Sequence, residues 1–323
     1  MFIPTTTSFA LRAPLYPGST HQPGLIPGGW VALGFLASFV CVAALLYDAG
    51  IAIDPWAPST LAFIAAFAAL AAARFVLRDP ATAAQRVARD LTESVGLFMG
   101  VGLLGAVATY PLAADTRGSI DPILQRIDAA LHFDWLAWYR VTAGHRSLQL
   151  LGSAAYQSIF VTPALILCHY AWADKRAEAR GFLATFWLAA IVSLALFRYI
   201  PAIGPLATMW HGPVPYLPES GLYEADLFPP LRDHVLRDVD LGALRGLVSA
   251  PSFHTVSAVL YIAAGWKIAG LRWTIVALNA AMLLSTPIEG THYLADMLAG
   301  AGVAVAALGV MGVLRRTLAA RGR

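Results

Sequence analysis

The chain is predicted to fold as an all-α, polytopic transmembrane helical bundle of about eight spans. Three observations carry this expectation. Hydrophobic residues make up 58% of the 323 residues and charged residues only 13%, with a mean hydropathy of +0.65; a water-soluble domain carries about a quarter of its residues charged. The apolar residues are grouped into runs long enough to cross a hydrocarbon core, which takes roughly 20 residues of helix. In lipid every backbone polar group must be satisfied within the segment, so each run is helical.

The elements follow in order. Residues 1–28 hold Pro4, Pro14, Pro17, Pro23 and Pro27 and no apolar stretch; they read as a disordered cytoplasmic tail and not as a cleaved leader. Residues 29–93 comprise two helices, Trp30 to Tyr47 and Pro58 to Leu77, and a basic cytoplasmic loop. Residues 94–314 form a six-helix core: Ser94 to Ala113, Leu148 to Ala171, Gly181 to Ile200, Ser252 to Gly270, Leu271 to Ile288, and His292 to Leu314. Leu271-Arg272 leaves little room for a turn between the sixth and seventh spans. Residues 315–323 are a basic cytoplasmic tail.

Charge sets the orientation. With both termini in the cytoplasm, 14 of the 22 Lys/Arg fall on the inner side and 14 of the 19 Asp/Glu on the outer side, a positive-inside bias. The net charge of +3 comes without a basic block, so nucleic acid is not an expected partner. Cys41 and Cys168 both lie in apolar runs, too few and too buried for a disulfide framework and without a CxxC spacing for zinc.

Two outer-face segments are long, residues 114–147 and 204–250. In the first, Asp121-Pro122 marks a helix start. Ile123, Leu124, Ile127, Leu131, Trp135 and Trp138 then recur at helical spacing, the pattern of a helix lying in the headgroup layer. The second has six prolines between Pro205 and Pro230 and is too polar to span. A loop of that length is either functional or a disordered connector.

Ionisable residues at membrane depth are costly and therefore functional candidates. In this topology Arg198, His254, Glu289, His292 and Asp296 gather at the outer ends of spans five to eight, whereas Arg74 and Lys267 at the inner ends can snorkel. His292 and Asp296 are four residues apart, so they project from one helix face about 6 Å apart along the axis. The carboxylate there accepts from one imidazole nitrogen and leaves the other free to attack or to bind metal; the same spacing also occurs as a structural pair. Pro251-Ser252-Phe253-His254 starts a helix with Ser252 as N-cap. That pattern fits a phosphate-binding helix N-terminus, and it equally fits a capped transmembrane helix with His254 in the headgroup region. Two histidines, a carboxylate, an arginine and a helix N-terminus together suit in-line phosphoryl transfer.

At these residues the sequence resembles the type 2 phosphatidic acid phosphatase superfamily. Its three signatures are Lys-x-x-x-x-x-x-Arg-Pro, Pro-Ser-Gly-His, and Ser-Arg followed by five residues, His, three residues and Asp. The second stands here as Pro251-Ser252-Phe253-His254, and the third runs from Ser285-Thr286 to His292 and Asp296 with its spacing intact. The first is reduced to Arg198 and the prolines of Tyr199-Ile200-Pro201-Ala202-Ile203-Gly204-Pro205. The resemblance implies that His292 is a nucleophile forming a phosphohistidine and that Asp296 orients its imidazole. His254 would protonate the leaving alcohol and then deprotonate the incoming alcohol or water. Ser252 with its neighbouring N–H groups, Arg198, and Thr286 (a hydroxyl where the family has Arg) would hold phosphate. Arg232, Arg237, Arg245, His211 and His234 in the outer loop are further candidates for phosphate contact or plain surface residues, and Glu289 is a supporting partner or a solvated acid. The missing cations fit a singly charged phosphodiester better than a phosphate monoester.

The Pro-Ser-Phe-His and Gly-x-His-Tyr-x-x-Asp forms look like the branch containing inositol phosphorylceramide and sphingomyelin synthases. This implies transfer of a phospho-headgroup from a phospholipid donor to a lipid alcohol, without metal or cofactor, at the outer face of a cell (inner) membrane. The alternative within the family is a hydrolase of phosphatidate or a polyprenyl diphosphate, with water as acceptor. Two other classes use the same residues: a metalloenzyme with two His and one carboxylate as ligands, and a transporter with a proton relay.

Overall fold

The computed structural model describes residues 28–321, so the tail expected over residues 1–28 lies, apart from its last residue, outside the described residues. Among those described the fold is all-helical, with one isolated parallel bridge between Ala52 and Asp238 and no strand. The chain is a helical membrane bundle.

Helices α1 (Gly28–Ala49) and α2 (Pro58–Val76) correspond to the first two expected spans. Helix α3 (Ala83–Ala114) starts well before Ser94, because Thr82 and Gln85 form a capping box ahead of its polar first turns. The first outer segment forms two helices, α4 (Asp121–Ala130) and α5 (Trp135–Ala143), and the stripe read from its sequence divides. Leu124 and Trp135 turn inward and are buried, while Ile123, Ile127, Leu131 and Trp138 stay exposed. The expected fourth span is two helices, α6 (Arg146–Tyr156) and α7 (Ser158–Trp172), meeting at Gln157. Pro163 in α7 has no N–H to give the preceding turn, which loosens the helix there. Helix α8 (Arg176–Phe197) is the fifth span.

Residues 204–250 are not a disordered connector. They contain α9 (Pro205–Met209), α10 (Tyr223–Arg232) and a 3₁₀ turn at Leu241–Ala243. Phe228 and Leu231 of α10 and Val239 pack into one apolar cluster with Ile51, Tyr110 and Phe197. The loop is also sewn to the α1–α2 connection: Ala52 donates to the Arg237 carbonyl at 2.7 Å, Val239 to the Ala52 carbonyl at 2.9 Å, and the Ser59 hydroxyl to Asp240 at 2.6 Å.

The bundle closes with α11 (Phe253–Gly265), α12 (Arg272–Glu289) and α13 (Leu294–Arg321). Ending α11 at Gly265 supplies the room for a turn that Leu271-Arg272 alone lacks. Among the described residues six segments are long and apolar enough to cross a membrane: α1, α2, α3, α6 with α7, α8, and α13. The expected eight therefore reduce to six by that measure. Helix α11 has 13 residues, a rise of about 20 Å against a hydrocarbon core of about 30 Å. Helix α12 carries Asn279, Thr286 and Glu289 at buried positions.

Helix α11 sits among α7, α8, α12 and α13, and α3 lies against α1, α2, α7 and α8. Lipid tails give no hydrophobic drive for helices to associate, so close packing must do it. Accordingly, glycines stand at the crossings: Gly100 faces the Phe35 ring, Gly265 faces Ile275, and Gly300 faces the Ser252 carbonyl. The outward apolar residues Leu33, Phe39, Phe160, Val161, Val305 and Val313 are exposed, as a lipid-facing surface is. Cys41 and Cys168 are free and lie on that exposed surface instead of being buried. At the other end, Glu93 receives Arg74, Arg176 and Arg180, joining α2, α3 and α8.

Candidate active site

The turn between α12 and α13 carries His292, and local hydrogen bonding fixes it. Gly290 N–H donates to the Thr286 carbonyl and His292 N–H to the Pro287 carbonyl, while Thr291 adopts a positive φ of 47°. The start of α13 is capped twice. Asp296 Oδ2 accepts from the Tyr293 N–H at 2.8 Å, the backward half of a capping box. Asp128 of α4 accepts from the Leu294 and Ala295 N–H groups at 2.9 and 2.8 Å.

The second Asp296 oxygen, Oδ1, lies 2.9 Å from His292 Nδ1. Asp296 is fully buried and His292 is 4% exposed, so each is the other's electrostatic partner in a medium that screens little. The opposite edge of the imidazole runs past Gly290: a Cβ there would stand 2.5 Å from Cδ2 and 3.1 Å from Nε2. Glycine at 290 thus keeps space open beside Nε2.

Outer segments hold this turn from several sides. Trp135 Nε1 donates to the Pro287 carbonyl at 2.6 Å, the Thr208 and Tyr293 hydroxyls meet at 2.7 Å, and Ser220 N–H donates to the Glu289 carbonyl at 2.9 Å. Asp121 accepts from the Ile203 and Gly204 N–H groups. Gly204, at φ 99°, passes where a Cβ would stand 2.8 Å from the Thr291 carbonyl, so both its conformation and its contact require glycine.

His254 lies in the first turn of α11, behind the Ser252 N-cap, whose hydroxyl accepts from the Thr255 N–H at 3.4 Å. Its ring stacks on Tyr156, with centroids 3.8 Å apart and planes at 16°. His254 and His292 line one cavity, together with Glu224, Ser220 and Gly290. The cavity is also lined by α3 (Val101, Gly102, Gly105, Ala106 and Thr109) and by Phe186, Ala190 and Ser193 of α8.

The structure therefore brings His254, His292 and Asp296 to one place, and the other expected residues are engaged differently. Arg198 is exposed and paired with Asp115, off the cavity wall. Thr286 is fully buried and its hydroxyl donates to the Met282 carbonyl of its own helix at 2.7 Å. Ser252 is buried as a cap beneath the cavity and does not line it. In the outer loop, Arg232 is bound to Thr116 and the Gly118 carbonyl, Arg237 abuts Gly50, Arg245 lies 3.8 Å over the Tyr223 ring, and His211 and His234 are exposed. Glu289 is not a solvated acid: it is 1% exposed, and accepts from the Tyr216 hydroxyl at 2.8 Å and the Glu219 N–H at 3.3 Å. Among the described residues no three His, Cys, Asp or Glu side chains converge as metal ligands.

One cavity residue was missed in the sequence. Glu224 is 5% exposed and its Oε2 has no hydrogen-bond partner among the described residues. Burial pushes its carboxyl up to about 7, with the charges of Asp121 and Asp296 adding and that of His292 opposing. The signal was available: Glu224, Phe228 and Leu231 recur at i, i+4 and i+7, which puts an acid on the buried face of a helix.

A sequence model described as the PAP2 superfamily matches residues 122–310, more than half of the chain. The chain belongs to the PAP2 superfamily. The matched stretch contains His254, His292 and Asp296, and membership makes this PAP2 protein a membrane enzyme of the lipid phosphatase and phosphotransferase class. No curated protein and no solved structure matches the chain.

Proposed function

We propose that the protein transfers a phospho-headgroup from a phospholipid to a lipid alcohol, through a phosphohistidine at His292, at the outer face of a cell membrane. The observation that carries this reading is the division of the His292 ring: Nδ1 is held by Asp296, and Nε2 has open space beside Gly290 in the cavity that His254 also lines. In the first step the Nε2 lone pair forms a bond to phosphorus. The bond from phosphorus to the diacylglycerol oxygen breaks, and that oxygen takes a proton from His254. In the second step His254 takes the proton of an acceptor hydroxyl, whose oxygen attacks phosphorus as the P–N bond breaks. Asp296 supports the positive charge that the phosphorylated imidazole ring carries between the two steps. A cavity without Lys or Arg among its described lining residues fits a singly charged diester, since a monoester dianion needs more compensation. The branch likeness at Pro251-Ser252-Phe253-His254 favours a lipid alcohol over water as acceptor.

The test uses purified protein in mixed micelles with excess EDTA and phospholipid labelled in headgroup and phosphate. Ceramide and diacylglycerol serve as acceptors, and His292→Ala as control. Label on an acceptor lipid, absent from the control, is the expected result. Label only in water-soluble phosphate or phospho-headgroup would make the protein a hydrolase, and activity abolished by EDTA would point to the metal-dependent class.

A further inference from the structure

The cavity that holds both histidines also holds a carboxylate with no role in the proposed chemistry. Glu224 comes from α10, outside the spanning helices, and enters the cavity wall with Oε2 unpartnered. Ser193 of α8, also on the wall, is 1% exposed, and its hydroxyl likewise lacks a partner among the described residues. Buried polar groups are satisfied in folded proteins, and an orphan facing a cavity calls for a ligand. No Lys or Arg of the described residues lines the cavity to meet Glu224; the one group there that can carry positive charge is the His292 imidazole, which Asp296 already partners. Arg245 flanks the lining residue Gly246 but lays its guanidinium on the Tyr223 ring.

The charges decide what ligand fits. A phosphodiester brings one negative charge into a space that already contains one carboxylate, and burying like charges together is strongly unfavourable. A donor with an anionic headgroup adds to that repulsion. A neutral polyol leaves the carboxylate among hydroxyls alone. An ammonium group on the donor offsets Glu224 directly and forms a charge-assisted hydrogen bond or close ion contact, about twice as strong as a neutral one.

We propose that Glu224 is the recognition site for a cationic headgroup, so that the phospholipid donor is zwitterionic, with an ammonium group held at Glu224 while its phosphate lies at His292. This rests on the proposed function for the identity of the reacting phosphate, and on the cavity itself for the charge of the headgroup. The small residues Gly102, Gly105 and Ala106 on the α3 wall leave room for the rest of the donor.

The experiment compares donors with identical acyl chains: phosphatidylethanolamine, phosphatidylcholine, phosphatidylglycerol and phosphatidylinositol. The expected wild-type profile favours the two ammonium donors by about tenfold or more in kcat/KM, as a charge-assisted contact supplies. The two ammonium arms separate a primary amine from a quaternary one. In Glu224→Gln, which keeps volume and hydrogen bonding but removes charge, the ratio of ammonium to uncharged donors should collapse by a similar factor. A wild-type preference for glycerol or inositol donors, or an unchanged ratio in the variant, would overturn the proposal. Binding is read separately in His292→Ala, exchanged against equimolar phosphatidylcholine and phosphatidylglycerol: the retained lipid should be enriched in the ammonium donor, and the enrichment lost when Glu224→Gln is added. Such enrichment without any wild-type turnover would sink the phosphotransfer reading and leave the headgroup site standing. Turnover of anionic donors through His292 would do the reverse.

Discussion

The backbone N–H of Ser252 donates to the carbonyl of Asp296 at 3.1 Å, so the helix start that carries His254 is bonded to the helix start that positions His292. The two histidines belong to segments about forty residues apart in the chain, and their relative placement depends on this joint. Gly300 of α13 seals it, since a Cβ there would run into the Ser252 carbonyl carbon and oxygen.

Replacing Gly300 with Ala should therefore push the two helix starts apart. Overpacking of this kind costs about 1–3 kcal/mol. Both the thermal midpoint and the turnover of lipid phosphate should fall, the second more than the first, because His254 lies two residues beyond the displaced carbonyl. A variant with full activity at a lowered midpoint would show that the joint is structural only.

Asp296→Asn separates the two jobs of that side chain. The amide oxygen can still accept from the Tyr293 N–H, so the cap on α13 survives, but the charge opposite His292 is gone. Activity should fall by about 10²–10⁴-fold, with the thermal midpoint changed by a few degrees at most, on the order of one lost hydrogen bond. The check is turnover alongside acid-labile label on the protein. Retention of most of the activity would make the residue a cap and nothing more.

Asp128→Ala leaves the N–H groups of Leu294 and Ala295 without an acceptor. Each unsatisfied buried donor costs about 1–3 kcal/mol. The variant should unfold at a distinctly lower temperature, and hydrogen exchange should rise at residues 293–296. Unchanged exchange there would refute the capping role.

Glu224 gives the protein a pH dependence with a definite sign. Its carboxyl is raised by burial to about 7 from an ordinary value near 4.5. Between those values the folded chain keeps a proton that the unfolded chain releases. Its contribution to stability is therefore full below about 4.5 and is lost as pH rises through about 7. The thermal midpoint should decline between pH 5 and about 7.5, and the decline should be shallower in Glu224→Gln. Equal slopes in the two proteins would sink the assignment.

The helices that face lipid were legible because long apolar runs have one solution in a bilayer. The third signature was legible in its spacing, although His292 lies in the turn ahead of α13 and meets Asp296 through that turn instead of along a helix face. Helix α11 was read too long, since Trp266 to Gly270 is as apolar as a helix end, and only the fold shows that the chain turns there. Depth and the remnant of the first signature both point Arg198 toward the site; neither says which way a side chain at a helix end points, and Asp115 claims it. Asp121 and Asp128 share a buried face of α4 with Leu124. Their acceptors are taken by backbone N–H groups more than eighty residues away in sequence, a kind of partnership that local pattern does not record.

The matched stretch begins at residue 122, whereas Val101, Gly102, Gly105, Ala106 and Thr109 of α3 line the same cavity as the histidines. The reacting groups and this part of the chamber's lining thus come from different lengths of polypeptide. Exchanging α3 residues among related chains would change which molecules are admitted while leaving the bond-making step intact, so substrate range can drift without loss of the reaction.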